Sequence, residues 1–360
     1  MEKLNEKEWK PIPMKRLFTK FVRGKVSSAS DEPKRENGVP YVGATDRNNG
    51  VIDYLEADKA KIQPGNCVTF IRDGQGSVGS SVYRATPCIA TVNTSSGYAK
   101  WLNQDTGLFV STSSNQVREK YSFGYKRKET RLLAERVMLP VTDSGEPDYV
   151  YMAEYAQQMR DTMLAKYRAY VEERIAELGE AVEIPALVEK EWKEFRIGEL
   201  FEVSRPKARN KDDYDLGDIP FVASGAMNNG VMKCCKTREG EQLDAGNCIT
   251  VSPVDGSSFY QPMDFLGRGG AGSSILMLRN DGLNLLRGEF MVRMIQQTCS
   301  KYSYGHMGNK DSIKRERVML PVTDSGEPDY AYMEQYAKNM MIRKYKQYLT
   351  FADRAENKKQ

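Results

Sequence analysis

The sequence predicts an α+β protein. Two β-rich globular domains stand in tandem, each followed by a long helix, and the two helices pair as an antiparallel coiled coil. Three observations point there. The chain repeats itself at an offset close to 180 residues. Each repeat opens with short apolar runs separated by Gly, Asn, Asp and Ser. Each closes on a stretch without Pro or Gly that carries an apolar seam.

The repeat is the strongest signal. Glu135-Arg136-Val137-Met138-Leu139-Pro140-Val141-Thr142-Asp143-Ser144-Gly145-Glu146-Pro147-Asp148-Tyr149 recurs without change as residues 316–330. Chance does not produce such a match in 360 residues. Weaker matches keep nearly the same spacing. Glu8-Trp9-Lys10 answers Glu191-Trp192-Lys193, and Asn48-Asn49-Gly50 answers Asn228-Asn229-Gly230. Gly65-Asn66-Cys67 answers Gly246-Asn247-Cys248, and Tyr121-Ser122-Phe123-Gly124 answers Tyr302-Ser303-Tyr304-Gly305. A unit this long is a duplicated domain, since solenoid repeats run about 20–50 residues. The expected boundaries are 1–146 for the first globular domain, 147–184 for the central helix, 185–327 for the second domain and 328–360 for the last helix.

The globular parts show β-type runs at Cys67–Ile71, 81–83, 89–92, Cys248–Val251 and 274–278. After Thr142-Asp143-Ser144-Gly145, Pro147 suits a first helical turn, with Glu146 and Asp148 complementing the dipole. From residue 149 to about 179 nothing interrupts a helix, which would be roughly 45 Å long. Met152, Ala156, Met159 and Met163 step at coiled-coil spacing, and Tyr167, Tyr170, Ile175 and Leu178 continue the seam with drift. Met333, Ala337 and Met340 repeat the seam in the second copy. Each seam is the obvious partner of the other.

Composition excludes several classes. Apolar residues are 40% and charged residues 28%, too apolar for a disordered chain. No run reaches the roughly 20 apolar residues of a membrane span, and the charged first residues do not read as a secretory signal. A cytoplasmic protein is expected. None of the six cysteines forms CxxC and the one histidine is His306, so no metal is expected. Cys67 and Cys248 read as buried strand residues. Gly74-Gln75-Gly76-Ser77-Val78-Gly79 fits GxGxxG, but a strand-like run follows where a phosphate site requires a helix, so a tight loop is expected. Pro147-Asp148 has no ExK strand behind it, and no Asp/Asn-Pro-Pro-Tyr/Phe methyltransferase motif is present. No residue is expected to be catalytic and no cofactor is expected.

The loops suit double-stranded DNA. Net charge is only +4, but residues 118–136 hold seven basic side chains against three acidic ones. Arg47, Arg72, Gln75, Met227, Ser257 and Ser258 are candidates for reading bases. Lys126, Arg127, Lys128, Arg131, Lys310 and Lys314 are candidates for phosphates, with His306 a further contact. Asn48-Asn49-Gly50 is assigned mainly to a turn, because both copies keep it.

Two differing β-rich domains, each followed by a long helix opened by a near-identical segment, resemble the DNA-specificity (S) subunits of Type I restriction–modification systems. The resemblance covers nearly the whole chain. It rests most on Tyr121-Ser122-Phe123-Gly124, on Arg131-Leu132-Leu133, and on Leu139-Pro140 with Gly145-Glu146-Pro147-Asp148-Tyr149 and Met152, with their second-copy equivalents. One departure is Ser312-Ile313-Lys314 in place of Arg131-Leu132-Leu133. The resemblance implies two target recognition domains, each reading half of a split and asymmetric site. It implies helices that act as a spacer and dock two copies of a methyltransferase subunit, with a restriction/translocase subunit as an optional further partner. The subunit itself would be non-catalytic, in a complex that methylates adenine and cleaves DNA. The alternative is a duplicated β-rich adhesin or carbohydrate-binding module on a helical assembly stalk.

Overall fold

The computed structural model describes residues 2–31, 33–56, 58–74, 76–122, 124–270 and 274–357, with side chains for all of these except 31 and 354–357. The chain divides into two compact units, Met1–Tyr167 and Arg168–Gln360.

In chain order the first unit contains β1 (Trp9–Pro13), α1 (Met14–Leu17), β2 (Lys20–Arg23), β3 (Lys34–Val42), β4 (Val51–Leu55), β5 (Ile62–Gln63), β6 (Cys67–Ile71), β7 (Ser81–Arg84), β8 (Cys88–Ala90), β9 (Thr94–Tyr98), α2 (Gln104–Asn115), α3 (Glu129–Ala134) and β10 (Arg136–Pro140). Next comes α4 (Tyr149–Leu178), inside which the division falls. The antiparallel sheet β2-β9-β6-β7 is the centre of the unit. Every residue of β6 is buried, which is why it reads as an unbroken apolar run and not as an alternation. A second sheet, β4-β3-β8-β5, mixes one parallel pair with antiparallel neighbours. Helix α2 lies over β7, and its Asn103 cap bonds the N–H groups of Asp105 and Thr106. The core joins Met14, Phe18, Phe70, Val110, Leu132, Leu139 and Met152.

The second unit repeats this order with β11 (Trp192–Arg196), α5 (Ile197–Leu200), β12 (Glu202–Ser204), β13 (Leu216–Val222), β14 (Val231–Cys235), β15 (Cys248–Val251), β16 (Ser258–Gln261), β17 (Leu266–Gly267), β18 (Leu276–Arg279), α6 (Leu285–Cys299), α7 (Lys310–Arg315), β19 (Arg317–Pro321) and α8 (Tyr330–Asn357). Sheet β12-β18-β15-β16 answers β2-β9-β6-β7, and β14-β13-β17 answers β4-β3-β8. The β5–β8 pairing survives only as a bridge between Asp244 and Phe265. Leu132 and Ile313 are fully buried at equivalent places, so the departure from Arg131-Leu132-Leu133 keeps its core residue.

Each unit is closed by its own ends. β1 pairs antiparallel with β10, Ile12 opposite Val137, and β11 pairs with β19, Phe195 opposite Val318. The repeated segment supplies β10 and β19 and then turns. Gly145 and Gly326, at φ 78° and 82°, donate to Thr142 and Thr323, each at 2.8 Å. Pro147 lies outside the helix, bridged to Val141, so the expectation of Pro147 in the first turn is corrected. The cap is Asp148, whose Oδ1 accepts from the Tyr151 N–H at 3.0 Å while Oδ2 accepts from Lys7 at 3.0 Å. Asp329 does the same with Tyr332 at 3.0 Å and Lys190 at 2.8 Å.

The helices reach the expected lengths, but the expected seam needs correction. Met152 belongs to the core of the first unit, and Met333 and Ala337 to that of the second. The first turns of each helix pack on their own sheet and helix layer, which claims these side chains. Met159 and Met163 are exposed at 44% and 65%, while Ala156 and Met340 are half-buried. Within the second unit the end of α4 meets α8 further along, at Tyr170 in the drifting continuation of the seam and at residues outside it. Tyr170 stands edge-on to Tyr345 with centroids 6.5 Å apart, and Arg168 pairs with Asp353 at 2.9 Å. The Val182 backbone exchanges two bonds with the Asn339 amide, at 3.1 and 2.6 Å. Among the described residues no helix is long and apolar enough to cross a membrane.

The caps give a stability test. Burial pushes the Asp148 carboxyl up, but the Tyr151 N–H and the Lys7 ammonium outweigh it and hold the pKa below its ordinary 3.8. A lowered folded-state pKa contributes stability that is complete above the unfolded value and is lost as pH falls through the folded one. Asp148→Ala is expected to cost about 1–2 kcal/mol at neutral pH, a typical cap loss, with Lys7 left to its longer pairing with Glu2 at 3.6 Å. In urea unfolding the difference from wild type should shrink steadily below pH 4; an equal difference at pH 3 and pH 7 contradicts the assignment.

Candidate nucleic-acid interface

In the first unit three loops converge beyond the ends of β3, β6 and α2. The hairpin tip between β3 and β4 holds Arg47 exposed. Asn48, Asn49 and Gly50 follow at φ 47°, 52° and 74°. Left-handed φ suits Gly and, among other residues, Asn, so the turn assignment of this triplet is right. The β6–β7 loop lies against it, with the Ser77 hydroxyl donating to Ala44 O at 2.6 Å. Its GxGxxG run turns directly into β7, a tight loop between strands with no helix behind it. The third loop, from Arg118 to α3, is tied to both. Arg118 donates to Asp46 at 2.9 Å and to Gly76 O at 3.1 Å, and Lys126 pairs with Asp73 at 2.6 Å.

This brings together Arg47, Arg72, Lys126, Lys128 and Arg131. Lys128 is exposed at the start of α3. Arg131 lies 3.8 Å from the Tyr125 ring centroid and donates to Lys126 O at 2.7 Å, bracing the loop. Arg72 is half-buried, and its Nε and Nη1 atoms have no hydrogen-bond partner among the described residues. Burial, and then the neighbouring Arg23, lower its pKa. Gln75 lies outside the described residues.

Arg127 is a correction. It is fully buried, and its Nη2 and Nε reach Glu135 at 2.5 and 3.0 Å. It also donates to Gly79 O at 2.9 Å and to Ser114 at 2.9 Å, and lies over the Phe70 ring at 4.9 Å. Tyr121 donates to the same Glu135 at 2.5 Å, and burial followed by that carboxylate holds its phenol above the ordinary range. Arg127 therefore fixes the loop from below and cannot reach a phosphate. A sequence shows its charge but not the Glu135 that takes it inside.

The second unit builds the same site with different chemistry. Asn228, Asn229 and Gly230 repeat the tip at φ 49°, 56° and 74°, with Met227 57% exposed beside them. Ser257 and Ser258 are corrected. Both are buried, Ser257 donating to Asp255 at 2.6 Å and Ser258 to Gly256 O at 3.1 Å, so they shape the loop before β16. The turn at 303–306 is anchored by Tyr302, which donates to Glu316 at 2.5 Å; burial first, then this bond, push its phenol up to about 12. On it His306 is exposed and stacked on Tyr302 at 6.0 Å, with Tyr304 86% and Met307 54% exposed. Gly308 N–H bonds Pro253 O at 2.8 Å, joining this turn to the β15–β16 loop. Lys310 is half-buried at the start of α7. Lys314 sits against α5, beside Glu199, Arg279 and Asn280 and apart from the tip.

The pattern of residue types did not single out Arg84 and Gln261. Both are buried strand residues that bond the hairpin tips. The signal available was their position at the end of β7 and of β16, opposite each other in the repeat. Cys67 and Cys248 are buried in β6 and β15, and burial pushes the Cys248 thiol up to about 11. Among the described residues no group of three His, Cys, Asp or Glu side chains could hold a metal ion.

A duplicated scaffold with fixed frames and unlike polar loops defines a recognition protein. Residues 6–158 and 189–349 each match the family described as the Type I restriction modification DNA specificity domain, and the chain belongs to that family. It is 26% identical, over 89% of its length and 91% of the relative's, to the Type II restriction enzyme BgcI specificity subunit S.BcgI of Heyndrickxia coagulans. A Type I restriction–modification system S subunit from M. genitalium matches with a TM-score of 0.49 at 11% identity, covering 97% of this chain and 93% of that one. The HsdS subunit of Thermoanaerobacter tengcongensis matches with a TM-score of 0.30 at 12% identity, covering 94% and 91%. The chain is thus a DNA-recognition component, and the adhesin alternative finds no support.

The two kinds of arginine and lysine separate by experiment. Arg127→Ala, which takes from buried Glu135 its bidentate charge partner and leaves it Tyr121 and the Lys120 ammonium at 3.6 Å, is expected to cost about 3–5 kcal/mol in urea unfolding. Lys128→Ala should change stability by less than about 0.5 kcal/mol. It should instead lower the slope of log K against log salt by roughly 0.9 in DNA titrations. A stable Arg127→Ala with a reduced salt slope contradicts this division.

Proposed function

We propose that the chain reads a bipartite, asymmetric double-stranded DNA site for a restriction–modification assembly, one half per unit. The observation that carries this is a frame repeated almost without change beneath tips that differ. Arg47 faces solvent where Met227 does, and Arg84 stands where Gln261 does. Identical frames present their tips alike, and unlike tips read unlike bases. Contacts to bases fall to Arg47, Arg72, Gln75, Met227 and His306. Contacts to phosphates fall to Lys126, Lys128, Arg131 and Lys310, with Lys314 at the margin.

The helices act as the spacer. Contacts of α4 and of the segment just after it with α8 run in reverse order, from Arg168 with Asp353, through Tyr170 with Tyr345, to Val182 with Asn339, as an antiparallel arrangement requires. Helices of 30 and 28 residues are about 45 and 42 Å long, which suits half-sites slightly more than one duplex turn apart, about 34–36 Å. The repeated segment exposes Met138 and Met319, and Asp143 and Asp324, at equivalent places in the two units. Such a surface suits two copies of one partner, a methyltransferase subunit. A restriction/translocase subunit would join that assembly, and adenine methylation and cleavage would belong to the partners. The domains follow as 1–146 and 185–327, with helical segments 147–184 and 328–360, in the cytoplasm.

Methylome sequencing of the host with and without this gene tests the proposal. Loss of one split, asymmetric methylated motif on deletion is the expected result. With the methyltransferase partner present, DNA affinity should fall steeply with salt. An unchanged methylome together with salt-insensitive binding would overturn it.

A further inference from the structure

The hairpin tips are strained. Each places three successive residues in the left-handed region, two of them asparagines. Such conformations persist only where the surroundings over-determine them. Part of that constraint is the turn's own bonding: Gly50 N–H to Arg47 O at 2.7 Å and Gly230 N–H to Met227 O at 2.8 Å. A further part comes from one buried side chain on a strand of the other sheet, β7 or β16. Arg84 donates through Nη2 to Asn49 O at 2.6 Å and through Nε to the Thr69 hydroxyl at 3.0 Å. Gln261 donates through Nε2 to Asn229 O at 2.9 Å and to the Thr250 hydroxyl at 3.0 Å. Asn49 and Asn229 are equivalent, as are Thr69 and Thr250. Two different side chains thus make the same clamp in the two copies.

They differ in charge. Arg84 is 8% exposed, and among the described residues no carboxylate pairs with it. Its guanidinium lies directly behind the tip, where a Cβ on Gly50 would come within 2.8 Å of Nη2. A buried guanidinium stays charged, so its field emerges at the tip, where salt screens its action on a polyanion outside. Gln261 supplies the same bonds without a charge.

We propose that Arg84 and Gln261 are positioning residues for sequence reading: each locks its hairpin tip so that the residue beside it, Arg47 or Met227, meets the duplex in one register, and Arg84 adds a positive field that Gln261 does not. This rests on the DNA-reading function proposed above. It goes further by naming what sets the geometry of each reader and why the two halves should bind with unequal salt dependence.

The test uses the full chain in its assembly with the methyltransferase subunits and a library of duplexes randomised across both half-sites. Bound sequences are read after selection at several salt concentrations. Arg84→Ala should weaken base preference at the half read by the first unit about tenfold and leave the other half unchanged in the same molecules. Gln261→Leu should give the mirror result. Arg84→Gln should keep the preference within about twofold, because Gln261 shows that glutamine can make the clamp. It should bind several-fold more weakly at low salt, the gap closing as salt rises. If Arg84→Ala loses selection at both halves, Arg84→Gln and Gln261→Leu decide: kept preference in the first and one-sided loss in the second support the clamp. Full preference in Arg84→Ala and Gln261→Leu overturns it, as does an Arg84→Gln as unselective as Arg84→Ala. A wild-type assembly that selects no sequence would instead overturn the function on which the proposal rests.

Discussion

The antiparallel pairing of each unit's first strand with the strand before its helix is the constraint on which the rest depends. β1 on β10, and β11 on β19, join residues more than a hundred positions apart and close each unit into one body. Closing so long a loop costs conformational entropy that local contacts do not return until the pairing forms. Once formed, it fixes Glu135 and Glu316 at the edge of the frame, and Asp148 and Asp329 at the head of each helix. The carboxylates, Glu135 buried and Glu316 half-buried, hold the loops above, and the caps hold the helices beyond. Everything between can change as long as these anchors are met.

Each unit meets the same anchor in its own way. Both carboxylates take a tyrosine and a lysine, Tyr121 with Lys120 at 3.6 Å on Glu135 and Tyr302 with Lys301 at 2.6 Å on Glu316, but Glu135 also takes the buried Arg127. The surfaces above diverge accordingly. The first unit offers Arg47, Arg72, Lys126, Lys128 and Arg131. The second offers Met227, Tyr304, His306 and Met307. A basic reader draws more of its affinity from phosphates, and an apolar one more from base edges and methyl groups. On the proposed reading, unequal halves of one recognition site would follow from unequal chemistry on equal frames.

Much of the frame was legible in the sequence. The runs at 67–71 and 248–251 became β6 and β15, because central strands buried on both faces show as plain apolar words. Helices α4 and α8 showed through the absence of Pro and Gly. Helix α2 did not. Its Gly107, Ser111, Ser113 and Ser114 are small side chains that pack closely on the sheet and give no apolar stripe. Burial of charge was equally hidden, since Arg127 and Lys128 are neighbours in sequence, and only the fold sends one inside and leaves the other in water. The methionine seam misled for a related reason: Met152 and Met333 have the spacing of a coiled coil, but the first turns of each helix already have a core beneath them. The tip asparagines were readable as turns, whereas the side chains that clamp them lie more than thirty residues away.

The central claim is that one frame serves two independent readers, and a chain carrying the first reader twice tests it most directly. Replacing residues 191–315 by residues 8–134 joins the copies at Glu8 and Glu135, where both units keep the same residues. Selection from randomised duplexes by this chain, in its assembly, should yield a symmetric site whose two halves both match the first half of the natural one. A folded chain that still selects the natural asymmetric site, or selects one half only, would contradict the claim.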